Sequence, residues 1–239
     1  MNIKNNFIKT IGFTILVACL FLLFASKSSP IYPLNDWVDA NAIFTVGKSM
    51  MDGKVVYKDI FEQKGPTLYL IHGIGSLISH NTFVGIYVME VIAFAVFLFF
   101  GRRIFRLYLN VQLSNLATIL MAFLMVNITN FVHGDSAEQY CIPLLGASIF
   151  YLIRHLKEDN KSFMSFKLLL LNGVLAGSVI WIKYSMIGFW FGWMLVVLFT
   201  LLIDKKILRA LQASVVFLLG MVLSGIPWLL YFYSVDGLT

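Results

Sequence analysis

The chain has 239 residues, of which 59% are hydrophobic and only 13% charged. Soluble domains run at about 45–50% apolar and about 25% charged, so this composition excludes a water-soluble globule, a disordered chain and a disulfide-stapled secreted scaffold. The net charge of +6 comes from basic residues placed between apolar runs, which reports membrane topology and not a nucleic-acid footprint.

In chain order, the first apolar run is Ile8 to Ala25, preceded by Lys4 and Lys9. It is near spanning length, and Ala25-Ser26-Lys27 is a poor cleavage site, so it reads as an uncleaved first span. Residues 27–66 form the one long polar stretch. Within it, Ala42, Ile43, Val46 and Met50 keep helical spacing and Gly53 sits where a helix would stop, which predicts an amphipathic helix at the membrane surface. The apolar segment from Thr67 to Ser79 is too short to cross and predicts a second interfacial or re-entrant helix. The remaining predicted spans are Phe83–Phe100, Leu113–Phe131, Tyr140–Ile153, Leu168–Ile182, Met186–Ile203 and Leu211–Tyr233. The expected fold is therefore all-α: one transmembrane domain over residues 1–239, a polytopic helix bundle of about seven spans with interfacial helices in loop 27–66.

With the N-terminus in the cytoplasm, the inner segments hold twice as many basic residues as the outer ones, among them Lys9, Arg102, Arg103, Arg106, Arg154, Lys157, Lys161, Lys167, Lys205, Lys206 and Arg209. This predicts a multi-pass protein of the cell (plasma) membrane, N-terminus cytoplasmic and C-terminus extracytoplasmic. Two thirds of the acids then lie outside, Asp36, Asp39, Asp59, Glu62, Asp135, Glu138 and Asp236 among them. Cys19 and Cys141 lie within predicted spans and show no redox or metal spacing.

Several residues have the chemistry for a site at the outer boundary. Asp39 opens the predicted interfacial helix, where it suits a general base or a helix cap, a part Asp36 also fits. Asp135 and Glu138, three residues apart before a span, suit one cavity shared with the first loop or simple stabilisation by a helix N-terminus. Lys64, ahead of Gly65-Pro66, suits a phosphate contact as a point charge or snorkelling to headgroups. Lys183 admits the same two readings at the outer end of its span. Glu90 lies within a span, where a carboxylate is a functional candidate unless a Ser, Asn or Tyr on a neighbouring helix satisfies it. The tryptophans 181, 190, 193 and 228 fit interface belts and packing.

The run from Asp39 through Gly53, Tyr57-Lys58-Asp59 and Lys64-Gly65-Pro66 resembles the first extracytoplasmic loop of bacterial GT-C membrane glycosyltransferases, relatives of protein O-mannosyltransferases and of lipid A aminoarabinose transferase. The resemblance extends through Asp135 and Glu138, the Lys183 junction and the last span with Pro227, over essentially the whole chain. It implies inverting transfer of a sugar from a polyprenyl-phosphate donor to a glycan, lipid or protein acceptor of the cell envelope. Asp39 would be the catalytic base, Lys64 and Lys183 would bind the donor phosphate, and Asp135 and Glu138 would be cavity acids. Some members hold a divalent metal ion and others none; a metal here would fall to Asp39, Asp135 and Glu138. Full members are about twice this length, so the chain reads as the N-terminal half of one, a minimal form, or a subunit whose second chain supplies the missing spans. Membrane lipids are expected partners and nucleic acid is not. The alternative is a non-catalytic membrane subunit that binds a lipid carrier or assists polysaccharide export. A transporter is disfavoured because the ionisable groups, Glu90 apart, collect at the outer interface and no inverted repeat is present.

Overall fold

The computed structural model describes residues 3–131, 133–158, 164–235 and 237. Lys161 and Asp236, used above in the charge distribution, lie outside the described residues. The fold is an all-α bundle. Its helices are α1 (Ile3–Ala25), α2 (Val38–Met51), α3 (Pro66–Ile78), α4 (Val84–Phe105), α5 (Val111–Val126), α6 (Ala137–Glu158), α7 (Phe166–Lys183), α8 (Gly188–Ile203) and α9 (Ile207–Ser234).

Helix boundaries follow local chemistry. Pro66 occupies the first turn of α3, where its missing N–H has no partner to lose. Asn110 caps α5 by accepting the Leu113 N–H at 2.9 Å, and Ser165 accepts the Leu168 N–H at the start of α7. Gly53, at φ +89°, turns the chain after α2. The single turn Tyr184–Ile187 separates α7 from α8.

Four helical stretches are long and apolar enough to cross a membrane: Phe7–Ala25, Val84–Phe105, Phe166–Ile203 and Ile207–Ser234. The third joins α7 and α8 through the Tyr184 turn. This is fewer than the seven separate spans expected, for two physical reasons. Helix α5 has 16 residues, about 24 Å at 1.5 Å per residue, against a hydrocarbon core of about 30 Å. Helix α6 is long enough, but Glu138, Gln139, Arg154, His155 and Lys157 dilute both its ends.

The core forms two clusters. One joins α1, α4 and α5 through Val17, Ala18, Leu22, Phe94, Leu98 and Ala122. The other joins α2 and α3 to α6–α9 through Ile43, Leu68, Tyr69, Ala176, Trp190 and Phe217. Trp190, Trp193 and Trp228 are buried in packing. Helices α7 and α9 approach backbone to backbone: a Cβ on Gly220 would come within 2.9 Å of the Gly173 Cα. Small residues permit this close approach, which is how helices associate where lipid offers no hydrophobic gain. Elsewhere the bundle's outer face carries exposed Leu16, Phe24, Leu120, Phe199 and Leu230, a surface suited to acyl chains.

The bundle has two chemically distinct ends. At one, Arg102 donates to Thr10 at 2.9 Å and Asn115 at 2.8 Å, Arg103 stacks on Phe150, and Arg209 sits 3.7 Å from the Phe166 ring centroid. At the other, loop 27–66 packs against the start of α6 and the ends of α7 and α9, with Phe232 of α9 against Tyr57 at 5.8 Å.

Candidate functional site

The Lys64-Gly65-Pro66 turn is seated on the end of α7. The Gly65 N–H donates to the Ile182 carbonyl at 3.0 Å, and a Cβ on Gly65 would overlap the Trp181 carbonyl. Glycine is therefore the residue that lets the turn lie flat there. Trp228 of α9 secures the next residue, donating from Nε1 to Thr67 Oγ1 at 2.8 Å.

Lys64 is gripped from several sides. Its backbone N–H donates to Glu62 Oε2 at 2.9 Å and to Tyr69 Oη at 2.8 Å, while Tyr57 Oη donates to its carbonyl at 2.5 Å. Its ammonium lies 3.4 Å from Glu62 Oε1, and Tyr69 donates its own hydroxyl proton to Glu62. Tyr57 holds φ +70°, a costly backbone state for a non-glycine residue. Burial works against ionisation of Glu62, but the Tyr69 hydroxyl, the Lys64 N–H and the Lys64 charge together hold its pKa below the ordinary carboxylate value. Tyr69 is pushed well up, by burial first and then by its bond to Glu62.

Lys183, the last residue of α7, pairs with Glu138 in the first turn of α6. Burial again opposes the charged carboxylate; the bond from Lys183 and the nearby charges of Lys183 and Lys64 reverse it, leaving the Glu138 pKa depressed. Lys64 and Lys183 line one cavity of about 140 Å3 with Gln63, Tyr184 and Ser185. Two lysines thus meet at a small polar opening, each paired with a carboxylate, Glu62 for Lys64 and Glu138 for Lys183. An incoming dianion can take the ammoniums over from the carboxylates.

The other expected residues lie elsewhere. Asp39 is exposed in the first turn of α2, makes no hydrogen bond or ion pair among the described residues, and is not part of that cavity's lining. It is no N-cap either. Trp37 holds that position, and its N–H goes to Asn35 Oδ1 at 3.1 Å. Asp36 and Glu62 line a separate groove of about 510 Å3 between α2 and Ile60–Phe61, together with Asn41 and Thr45. Asp135 is fully buried beneath this surface, bonded through Oδ1 to His72 Nε2 and Tyr140 Oη, each at 2.9 Å. It does not share a cavity with Glu138, three residues on. Glu90 has a serine partner, Ser26, whose hydroxyl donates to its Oε2 at 2.6 Å.

Sequence reasoning did not single out Glu62, Tyr69 or His72 as working parts. The available signal was spacing: Glu62 two residues before Lys64, and Tyr69 and His72 three apart on the short helix that Pro66 opens. Asp39, Asp135 and Glu138 do not gather into a metal site, and among the described residues no three His, Cys, Asp or Glu side chains converge to hold an ion. No family model, curated protein or solved structure matches the chain.

Proposed function

We propose that this chain is an integral membrane glycosyltransferase, or part of one, that transfers a sugar from a polyprenyl-phosphate donor to a cell-envelope acceptor with inversion. The observation that supports this best is the joining of Lys64 and Lys183, far apart in sequence, around one polar cavity at the loop end of an apolar bundle. An acyl-like polyprenyl chain suits the bundle's apolar outer face, and its phosphate suits two ammoniums at the interface. In a single displacement the acceptor oxygen forms its bond to the anomeric carbon as the bond to the phosphate oxygen breaks. The acceptor proton passes to a carboxylate, and the departing phosphate keeps the bonding electrons, its charge stabilised by Lys64 and Lys183. Asp39, exposed and unbonded, is the acceptor-side base in this reading; Asp36 and Glu62 in the adjoining groove are its competitors. A membrane arrangement of seven crossings completes it, with α5, α6 and α8 added to the longest helices, the arginine-rich end cytoplasmic and loop 27–66 extracytoplasmic.

The test is transfer from a labelled polyprenyl-phosphate sugar by purified protein, supplied with any further chain the reaction needs. Asp39→Asn abolishes transfer and leaves donor binding intact, while Asp36→Asn does much less; full activity in Asp39→Asn removes it from the mechanism. Donor binding without transfer under every acceptor class would favour the non-catalytic lipid-carrier subunit.

A further inference from the structure

Three titratable side chains with no solvent exposure meet below the loop end: Glu90 from α4, Asp135 from the turn before α6, and His72 from α3. Hydrogen-bond chemistry fixes most of their protons. His72 Nδ1 lies 2.9 Å from the Leu68 carbonyl, which can only accept, so Nδ1 carries a proton. Its Nε2 lies 2.9 Å from Asp135 Oδ1, so a second proton sits between those two atoms. The pair is therefore neutral overall, whichever partner owns that proton. Glu90 has no such counter-charge. Its Oε1 accepts the Asp135 N–H at 2.5 Å and its Oε2 accepts the Ser26 hydroxyl at 2.6 Å, whose oxygen in turn accepts the Ser28 N–H at 3.1 Å; these donors are dipoles and bring no charge.

The remaining groups around the cluster add no lysine or arginine charge: Lys27, whose N–H donates to the His133 carbonyl at 2.8 Å, carries its ammonium over the Tyr32 ring. Tyr140 of α6 donates to Asp135, and Tyr87 of α4 donates to the Cys19 carbonyl of α1 at 2.9 Å. Gln139 Oε1 accepts the Asp135 N–H at 2.9 Å, and His133 presents a buried Nδ1 without a partner. Helix α2 meets His72 with Gly47. Among the described residues no lysine or arginine bonds to Glu90 or Asp135. A buried carboxylate without a counter-ion is costly enough that it takes up a proton instead.

We propose that Glu90 is a proton-binding site, protonated in the folded protein, and that its deprotonation unlatches the turn His133–Ser136. That turn is seated directly on the carboxyl: Gly134 and Asp135 both hold positive φ, +74° and +53°, a costly state for Asp135, and a Cβ on Gly134 would press on Ser26 Oγ and Glu90 Oε1. An ionised Glu90 leaves one net negative charge inside the cluster, and withdrawal of the Asp135 loop admits water to it. The same turn opens α6, which carries Glu138 against Lys183, while His72 sits on the helix that begins beside Lys64. Proton release therefore reaches both walls of the two-lysine cavity. The inference does not depend on what that cavity binds.

The folded chain holds a proton that the unfolded chain has released by neutral pH, so its stability falls as pH rises. His72 adds to the same slope: burial disfavours its charged form, but the Asp135 carboxylate outweighs burial and holds its pKa above the ordinary value. The experiment uses purified, detergent-solubilised protein without lipid substrate, with Tm measured between about pH 6 and 9 and infrared spectra at each end. Wild type is expected to lose several degrees towards alkaline pH and to show, at the acid end, the C=O stretch of a buried protonated carboxyl. Glu90→Gln keeps the neutral shape; it is expected to match wild type at the acid end, lose most of the slope and lose the band. A wild-type Tm slope retained in Glu90→Gln overturns the proposal, as does a band that survives the substitution and so belongs to Asp135. If Glu90→Gln does not fold, wild type and Asp135→Asn decide: absence of the band from folded wild type, or its loss in Asp135→Asn, overturns the proposal, and a band that persists in Asp135→Asn belongs to Glu90.

Discussion

Replacing Lys64 with Met tests the two-lysine cavity directly, because it keeps the apolar stem and removes only the charge. A charge-assisted contact to phosphate contributes about 1.5–3 kcal/mol. That gain is offset by what the phosphate must displace, since the Lys64 ammonium already sits 3.4 Å from Glu62. Both side chains of that pair are mostly buried, at 13% and 18% exposure. Even so, the pair opens onto a solvent-reached cavity, where ion pairs contribute about 0–1 kcal/mol. The net loss for Lys64→Met is then about 1–2 kcal/mol, or about fivefold to thirtyfold in Kd. Lys183→Met, whose partner Glu138 is more exposed, should fall at the lower end of that range. The double substitution should cost less than the two single losses combined, because both act on one small ligand in one cavity.

The assay is equilibrium binding of polyprenyl phosphate to the solubilised protein, with the uncharged polyprenol as a second ligand. The lysine substitutions should weaken only the phosphate, while Lys54→Met, an exposed change in the same loop, should leave both ligands unaffected. Equal losses for Lys54→Met and Lys64→Met would reduce the effect to general attraction between a basic loop and an anion. Equal losses for polyprenol and its phosphate would show that the cavity recognises the chain and not the charge. Either result refutes the reasoning.

Gly65→Ala places a methyl group on the Trp181 carbonyl, so it should destabilise the fold by about 1–3 kcal/mol, read as a lower Tm, and displace Lys64, weakening phosphate binding as well. Glu62 and Glu138 have depressed pKa values in the folded state, so they contribute stability above the ordinary carboxylate value of 4.5 that is lost as pH falls below it; Glu62→Gln and Glu138→Gln should each flatten the acid limb of a Tm-versus-pH curve. In a background without Cys19 and Cys141, Lys54→Cys should react with an impermeant thiol reagent in intact cells and Lys205→Cys should not; the reverse pattern would invert the proposed orientation.

The helices were legible because lipid-facing and core-facing surfaces are both apolar here, so long apolar runs register whatever they touch. The break between α7 and α8 was visible for the opposite reason: Lys183-Tyr184-Ser185 interrupts an apolar run with groups that need water or a partner. Crossing number was harder to read. An apolar segment such as Leu113–Phe131 looks like a span in sequence, yet Asn127 ends α5 early and the chain turns through Thr129–Phe131. In the first loop, Ile43 and Val46 lie on the buried stripe that helical spacing predicts, but Phe44 and Gly47 belong to it too and Ala42 borders the groove, because Gly47 is where α3 approaches to within 2.7 Å of a would-be Cβ. Periodicity reports which face is apolar; it does not report where two backbones must nearly touch.

The same limit explains what happened to the acids. Asp135 and Glu138 are three residues apart, a spacing that joins side chains only where both positions are helical. Asp135 lies in the left-handed turn before α6 begins, so its side chain points down to His72 while Glu138, in the helix's first turn, points across to Lys183. A single positive φ therefore divides one apparent acidic pair between a buried latch and an exposed cavity. Lys64 and Lys183 show the converse. No sequence spacing relates them, yet the flat Lys64-Gly65-Pro66 turn docks on the carbonyl end of α7 and brings both ammoniums to one opening. Pairing at this site is set by how chain ends are terminated, by Gly65 and Pro66 on one side and by the Gly134-Asp135 turn on the other. Those are the positions where substitution should move charge without changing any charged residue.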